Sequence, residues 1–288
     1  MRLLTMTCAG LAVLLLAFAV PVHAISEFDL IKPELLKFSI GLGYEYETGD
    51  YGTGEDIDTW RVPLLIEWSP HVRFSLAVEI PYVRQSRTGE TILLGGAPAP
   101  TRPGHGNGKM SNGDPAETTT TTSETTDSES GLGDITVDAS VVLLKEEGHS
   151  PRLLGLLYAK LPTADEDKGL GTGEFDWGGG LGIGKRFSNW SVYAEALYIE
   201  PGTSDRYDPD GYWEWLAALS YRPGGNLLPG LSLSGGTAPF DGADDPLEVK
   251  FRLGVITGEQ TSLSLYVARG LSDGSPEWAA GIFGYFDF

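Results

Sequence analysis

Cysteine is almost absent from this chain, and its position removes it from any structural role. Cys8 is the only cysteine, and it lies in an N-terminal segment where one arginine precedes an apolar run over about residues 9–20. The run ends at Pro21-Val22-His23-Ala24, a small-residue site typical of signal-peptide cleavage. We expect residues 1–24 to be a cleaved signal peptide. The mature chain, 25–288, would then lack disulfides, thiol catalysis and Cys-based metal sites.

Long apolar runs and basic residues are also scarce. Beyond the signal segment no stretch approaches the roughly 18 apolar residues that suggest a membrane-spanning helix. Only 20 Lys and Arg face 40 Asp and Glu, which leaves a formal net charge of −20. So acidic a chain is not expected to bind nucleic acid. A transmembrane β-barrel remains compatible with this polar composition, because its apolar residues are spread by alternation along strands.

Alternation at period two is present along most of the chain from Leu36 onward. In the first segment Phe38, Ile40, Leu42, Tyr44 and Tyr46 share one face, whereas Ser39, Gly41, Gly43, Glu45 and Glu47 share the other. Aromatic residues bracket the aliphatic stripes of later segments: Trp60 and Trp68; Trp190 and Tyr198; Trp213, Trp215 and Tyr221. Such pairs are typical of the interfacial girdles of a membrane barrel.

Twelve strands can be counted, and the connections between them fall into two classes. The predicted strands are 36–47, 58–68, 72–85, 132–145, 151–163, 173–187, 189–200, 211–222, 229–238, 246–256, 260–270 and 276–288. Every second connection is short, and the alternate ones are mostly longer and acidic. The sequence therefore predicts an all-β, transmembrane, antiparallel up-and-down barrel with short periplasmic turns and long outer loops. Residues 88–128, which are Thr-rich, are expected to be a disordered outer loop.

The faces opposite the apolar stripes should line the lumen. The lumen-lining candidates are Glu45, Arg61, Glu67, Arg73, Glu79, Asp134, Asp138, Tyr158, Lys160, Asp176, Tyr193, Glu195, Tyr212, Glu214, Lys250, Arg252 and Tyr266. Charges inside a barrel are costly unless they are hydrated or paired. Two interpretations therefore stay open: the side chains line a narrow water path, or they pair across strands and plug the barrel.

The last strand carries a second signal. Counting back from the C-terminus, Phe288 and Phe286 fall on the predicted lipid-facing positions. A terminal aromatic residue on an alternating strand resembles the signal that the outer-membrane assembly machinery reads. Outer-membrane lipid, lipopolysaccharide, that machinery and a small-molecule solute are the expected partners.

Catalytic and metal sites are not expected. Of the four histidines, His23 leaves with the signal, His71 and His149 fall in short turns, and His105 falls in the low-complexity insert. No G-x-S-x-G motif occurs. Aspartates cluster in two outer loops without the spacing of an EF-hand, so solvated loops bridged to lipopolysaccharide by divalent ions are the simpler interpretation. We expect no enzyme activity and no cofactor.

Three motifs carry a family resemblance. They are Gly131-Leu132-Gly133-Asp134-Ile135, Lys160-Leu161-Pro162-Thr163 and Gly171-Thr172-Gly173-Glu174-Phe175-Asp176-Trp177. Over residues 131–288 the chain resembles the MetA-pathway of phenol degradation family. The family usually has Pro-Thr-Gly-Asp where this chain has Pro162-Thr163-Ala164-Asp165. The resemblance implies an outer-membrane barrel with a transport role and assigns no binding residues.

The sequence thus predicts a channel or transporter in the outer membrane of a Gram-negative bacterium. It would allow passive uptake of a small solute, with an aromatic compound as one candidate. The alternative is a structural or adhesive barrel whose lumen is plugged and which transports nothing.

Overall fold

Among the described residues, all but two short strands close into one barrel. The structure is a computed structural model, and it describes residues 37–51, 56–88, 92–94, 97–99, 126–204, 208–240 and 243–288. The predicted signal peptide lies outside the described residues. The strands are β1 (Lys37–Gly49), β2 (Ile57–His71), β3 (Phe74–Thr88), β4 (Ile92–Leu94), β5 (Ala97–Ala99), β6 (Thr126–Leu132), β7 (Ile135–Leu144), β8 (Arg152–Leu161), β9 (Asp176–Phe187), β10 (Trp190–Glu200), β11 (Tyr212–Tyr221), β12 (Leu227–Gly236), β13 (Leu247–Ile256), β14 (Thr261–Gly270) and β15 (Trp278–Asp287).

Each strand of the main sheet pairs antiparallel with its neighbours along the chain, and β1 pairs with both β2 and β15. These last pairings close the sheet. Strands β6 and β7 both pair with β3, one after the other along it, and together they occupy one strand position of the barrel. The barrel therefore has twelve strand positions. The predicted fold class is confirmed. Because β2 pairs with β3 as well as with β1, the ring of strands closes; among the described strands, β6 pairs with β3 alone.

A β-bulge explains the interruption between β6 and β7. Two residues of β3, Ile80 and Pro81, lie opposite three residues, 133–135. Pro81 has no N–H to donate, and its carbonyl instead accepts the Gly133 N–H at 2.8 Å. The barrel strand therefore begins at Thr126, earlier than the predicted residue 132. Strand residues at 88, 92–94, 97–99 and 126–128 fall within the predicted disordered loop 88–128. The short strands β4 and β5 pair with each other in a separate two-stranded sheet, and the connection from β3 to β6 runs from Thr88 to Thr126.

The connections at one end of the barrel are mostly shorter than those at the other, as the sequence predicts, although 145–151 is as long as 50–56 and 271–277. At the end of the barrel that holds residues 37 and 288, the connections are 72–73, 145–151, 188–189, 222–226 and 257–260. We call this the turn end. At the opposite end, which we call the loop end, the connections are 50–56, 89–125, 162–175, 201–211, 237–246 and 271–277. The loop 162–175 contains a short 3₁₀ turn, Glu166–Lys168. Asp165, the residue before the turn, caps it by accepting the Asp167 N–H.

The outer surface of the barrel carries two sets of aromatic side chains. Near the turn end, the rings of Trp190 and Tyr221 lie 4.4 Å apart between centroids on paired strands. Near the loop end, Tyr198 and Trp213 lie 5.3 Å apart on the same two strands. Cross-strand register therefore assembles the aromatics into girdles at the two ends of an aliphatic band.

The last strand places its lipid-facing residues as predicted. Trp278, Ile282, Phe286 and Phe288 are exposed on the outer surface, and Phe288 packs against Phe38 with ring centroids 5.5 Å apart. Among the described residues no helix is long and apolar enough to cross a membrane.

Candidate functional site

The inside of the barrel is the candidate site, because period-two alternation sends most of the predicted residues there. Eleven of them are buried: Glu45, Glu79, Asp134, Asp138, Lys160, Asp176, Tyr193, Glu195, Tyr212, Lys250 and Tyr266. Five more are half-buried on the same inward faces: Arg61, Glu67, Tyr158, Glu214 and Arg252. Arg73 departs from the expectation. It lies in the turn 72–73, one residue before β3, and is exposed. At a strand end the alternation no longer determines where a side chain points.

Ion pairs and hydrogen bonds cover one inner wall, formed by β13–β15 and β1–β3, which we call the ionic wall. Arg61 on β2 pairs with Glu79 on β3 at 2.9 Å, and Glu79 is only 1% exposed. Glu45 on β1 accepts a hydrogen bond of 2.7 Å from the Tyr266 hydroxyl on β14. On β13, Lys250 lies 3.5 Å from the carboxylate of Glu248. Burial of so many charges is tolerable because each of these groups has a partner of opposite charge or a hydrogen-bond donor.

Three aromatic rings run along the ionic wall, and we call them the aromatic row. The row consists of Tyr266 on β14 and Phe283 and Tyr285 on β15. Phe283 lies 6.3 Å from Tyr266 and 6.2 Å from Tyr285, with interplanar angles of 27° and 16°. Sequence reasoning named only Tyr266. The signal for the other two was available, since Phe283 and Tyr285 occupy the positions of β15 between its lipid-facing residues.

Part of the opposite inner wall, formed by β8–β11, is an apolar cluster, and we call this cluster the apolar wall; Lys160, Glu195 and Glu214 on the same strands are charged. Its buried cluster is made of Leu154, Leu156, Tyr193, Leu197, Leu216 and Ala218. The glycines of β9 belong to the same wall. A Cβ at Gly180 would overlap the backbone of β10, and one at Gly182 would overlap the Tyr193 hydroxyl. Side chains from β10 therefore cover the bare face of β9, so the glycines permit close packing rather than leaving open space. The Tyr193 hydroxyl donates to Glu195.

A third group lies at the loop end, where Lys160 joins two carboxylates; we call it the loop clamp. Lys160 Nζ lies 2.5 Å from Asp176 and 3.7 Å from Asp134, and it donates to the Thr172 hydroxyl at 3.0 Å. Asp134 Oδ1 also accepts the N–H groups of Thr163 and Ala164, at 3.1 and 3.0 Å. The clamp therefore fastens the loop 162–175 to the barrel wall. Its partners come from all three family motifs.

A second loop meets the clamp. Asp176 accepts the backbone N–H of Gly202 at 3.0 Å, which ties the loop 201–211 to the same group. Leu170, in the clamped loop, is buried, and a Cβ at Gly131 would contact its side chain. On the adjoining loop 50–56, Tyr51 is buried with Ile57, and this burial raises the pKa of the Tyr51 hydroxyl well above its ordinary value. Loop residues thus fill the loop end of the lumen.

Burial differs between the two ends of the lumen. Toward the loop end the inward residues are buried, as Glu47, Thr59 and Ser234 illustrate. Toward the turn end most are only half-buried, including Ser75, Ser140, Ser220, Ser232 and Ser262. The lumen is therefore filled near the loops and more open, with a hydroxyl-rich surface, near the turns.

Metal chemistry has no visible basis in the described part of the chain. Among those residues, no three His, Cys, Asp or Glu side chains are placed to hold an ion. Of the loop aspartates, Asp205 and Asp241 lie outside the described residues. The sequence contains no G-x-S-x-G motif. Among the described residues, His71 at the end of β2 is the histidine that lies on a barrel strand, and it does not support hydrolysis.

The closed antiparallel barrel with its outer aromatic girdles defines the chain as an outer-membrane β-barrel protein. Solved structures agree on the fold. An outer-membrane channel from Pseudomonas putida F1, described as COG4313, is 15% identical, with a TM-score of 0.64 over 88% of this chain and 96% of that one. The KdgM porin is 10% identical, with a TM-score of 0.51 over 87% of this chain and 99% of the porin. These structures are channels and porins rather than enzymes.

The family follows from the sequence itself. A family model described as "Putative MetA-pathway of phenol degradation" matches residues 66–288, and the chain belongs to this family. The match begins well before residue 131, where the recognisable motifs start, so it also includes strands that alternation alone predicted. A comparison with curated proteins gave no match.

Proposed function

We propose that the protein is an outer-membrane channel through which a small solute crosses passively. The observation that supports this most directly is the asymmetry of the lumen. Its loop end is filled by buried side chains, whereas toward the turn end many inward residues are polar and only half-buried, and charged side chains line both the ionic wall and the strands β8–β11. A polar wall offers hydrogen-bonding groups that replace the water molecules which a solute loses when it enters the lumen.

The same proposal includes the orientation and the partners. Short turns face the periplasm and long loops face the medium, as in bacterial barrels generally. Residues 1–24 direct export and are removed. Phe286 and Phe288 engage the assembly machinery, and the acidic loops meet lipopolysaccharide through divalent ions. No described residue of the lumen forms part of a nucleotide site, so in this proposal a concentration gradient drives the solute.

A second candidate function rests on burial. Glu79 and Tyr193 are each only 1% exposed, and Leu197 is 2% exposed. Side chains so fully removed from water favour a plugged lumen at that level, as in a structural or adhesive barrel. A channel would then require the loop end to rearrange, and the loop clamp is the group that holds it in place.

Single-channel conductance of the refolded mature chain in a planar bilayer separates the two candidates. A channel gives discrete current steps and allows proteoliposomes to swell in small neutral solutes. A structural barrel gives a folded, heat-modifiable band on a gel but neither current nor swelling. Deletion of residues 89–125, which leaves β3 and β6 intact, is the matched variant. If the loop serves adhesion, the deletion abolishes surface attachment and leaves solute flux unchanged.

A further inference from the structure

The rings of the aromatic row lie close to the barrel wall because glycines face them across the sheet. The register pairs Gly41 with Tyr285, Gly43 with Phe283 and Gly281 with Tyr266. A Cβ at any of these three glycines would overlap the paired ring. Each ring therefore occupies the space that a side chain at the paired glycine would fill on the inner side of the sheet.

The alignment of the rings goes beyond what sheet stability requires. One aromatic ring over a cross-strand glycine stabilises a sheet locally. Here three such pairs follow one another, and neighbouring rings are within 27° of parallel. Together they form a run of near-parallel rings on the inside of β14 and β15. A flat π surface stacks favourably with another planar ring.

The two members of the row nearest the turn end are the accessible ones. Phe283 and Tyr285 are half-buried, whereas Tyr266 is buried, with its hydroxyl bonded to Glu45 and Lys250 Nζ 4.7 Å from its ring centre. The accessible part thus lies on the half of the lumen that is more open, and a solute entering from that half would meet Tyr285 first.

Charge around the row selects against anions. The inward carboxylates of the ionic wall are Glu45, Glu47, Glu67, Glu79 and Glu248, and the inward cations are Arg61, Lys250 and Arg252. Carboxylates outnumber cations among these described residues, and Arg61 and Lys250 are engaged by Glu79 and Glu248. An anionic ring compound would be repelled at close range in this partly desolvated space.

We infer that Phe283 and Tyr285 form a stacking site inside the lumen for a planar ring compound that carries no negative charge. This inference rests on the proposed function, since it assigns the site at which the transported solute pauses. Because binding can be measured without flow, the two ideas can fail separately.

The experiment measures binding by saturation-transfer NMR and titration calorimetry on the full mature barrel in detergent. Three probes of similar size are compared: 4-hydroxybenzyl alcohol, which is planar and neutral; cyclohexylmethanol, which is not planar; and benzoate, which is anionic. We expect the neutral planar probe to bind at least about tenfold more tightly than either of the others, the equivalent of one well-formed stacking contact. Equal affinity for all three probes overturns the inference.

The variant Phe283→Leu/Tyr285→Leu removes both rings while keeping apolar volume, and it should abolish the preference for the planar probe. Phe251→Leu on the outer surface of β13 is the matched control, since it removes an exposed ring that faces lipid. If the double variant does not fold, Phe283→Tyr and Tyr285→Phe serve in its place: both keep a ring and should keep the preference. Loss of preference in the Phe251→Leu control would show micelle partitioning and overturn the inference.

Conductance on the same preparations separates the inference from the proposed function. A barrel that binds the planar probe but never conducts supports the stacking site and contradicts the channel. A barrel that conducts and shows no preference among the probes supports the channel and overturns the stacking site.

Discussion

The ionic wall and the apolar wall follow the same alternating pattern but bury different chemistry. On the apolar wall, leucines from β8, β10 and β11 interdigitate, and packing of this kind depends on volume rather than direction. On the ionic wall, stability depends on directed contacts such as those from Arg61 to Glu79 and from Tyr266 to Glu45. A wall held by directed polar contacts can exchange them for water or solute, whereas a packed apolar wall cannot. The difference indicates which side of the lumen a solute would follow.

Breaking the ion pair between Arg61 and Glu79 on the ionic wall should have the largest effect on the free energy of unfolding. Arg61→Met leaves the carboxylate of Glu79 buried without its partner and should lower the free energy of unfolding by about 3–5 kcal/mol. Denaturant titration of the refolded barrel, followed by tryptophan fluorescence, measures this. The double variant Arg61→Met/Glu79→Leu should recover most of the loss. Arg269→Met is the control: its pair with Glu277 is exposed, so the loss should be about 1 kcal/mol or less. A loss in the double variant as large as in the single one would contradict the account.

A cavity in the apolar wall should lower the free energy of unfolding by nearly as much. Leu197→Ala removes a side chain from the buried cluster and should destabilise the barrel by about 2–5 kcal/mol, because the surrounding side chains cannot collapse into the space. Leu157→Ala is the matched control, since Leu157 is 62% exposed on the outside of β8, where lipid fills the gap. The same unfolding titration applies to both. Equal losses would show that the apolar wall is not tightly packed.

Releasing the loop clamp should affect one loop rather than the whole barrel. Lys160→Met removes the cation between Asp134 and Asp176, so amide hydrogens in the loop 162–175 should exchange at least about tenfold faster. Hydrogen exchange with mass spectrometry reads this segment separately from the strands. Lys168→Met, in the same loop but bonded only weakly to the Ser130 carbonyl, serves as the control. Unchanged exchange in Lys160→Met would mean that other contacts hold the loop.

The smallest effect is expected at the turn end, on Glu146. Burial alone would raise the pKa of Glu146, but hydrogen bonds from the Arg186 backbone and from the Lys185 and Arg186 side chains lower it below its ordinary value. A group with a lowered pKa contributes its stability above its unfolded pKa of about 4.3 and loses it as the pH falls through the folded value.

Glu146→Gln should therefore destabilise the barrel by less than about 1 kcal/mol at pH 7, and the difference from the unchanged protein should vanish near pH 3. Unfolding titrations at the two pH values measure it. Glu147→Gln, at the neighbouring exposed position, is the control. If the difference in stability between Glu146→Gln and the unchanged protein grows on acidification, the pKa of Glu146 is raised rather than lowered.

Most of the fold could be predicted from the sequence. Alternation located all twelve strand positions, and the contrast between turns such as 188–189 and loops such as 201–211 predicted the two ends of the barrel. This works because the strand period of two is a local property and because lipid demands an apolar side chain at every second position. The bulge at residues 133–135 escaped prediction, since it depends on Pro81 in a different strand.

The lumen was predictable only in part. Alternation identified which side chains point inward, for example Glu79 and Lys250, but not which of them would meet. The partner of Glu45 is Tyr266, at 221 residues' separation in sequence, and only the closure of β1 onto β15 brings them together. Phe283 and Tyr285 were not predicted as lumen residues, although the alternation along β15 places them inward.

By itself, the sequence determined the class of fold, the inward and outward faces of each strand and the family, because each of these is written in local periodicity or in contiguous motifs. Only the tertiary structure decided that the lumen has an ionic wall and an apolar wall, that Lys160 clamps two loops, and that three rings align over Gly41, Gly43 and Gly281. The physical reason is register: a shift of one residue between neighbouring strands would reverse their facing residues, and register is set by pairing across the whole closed sheet.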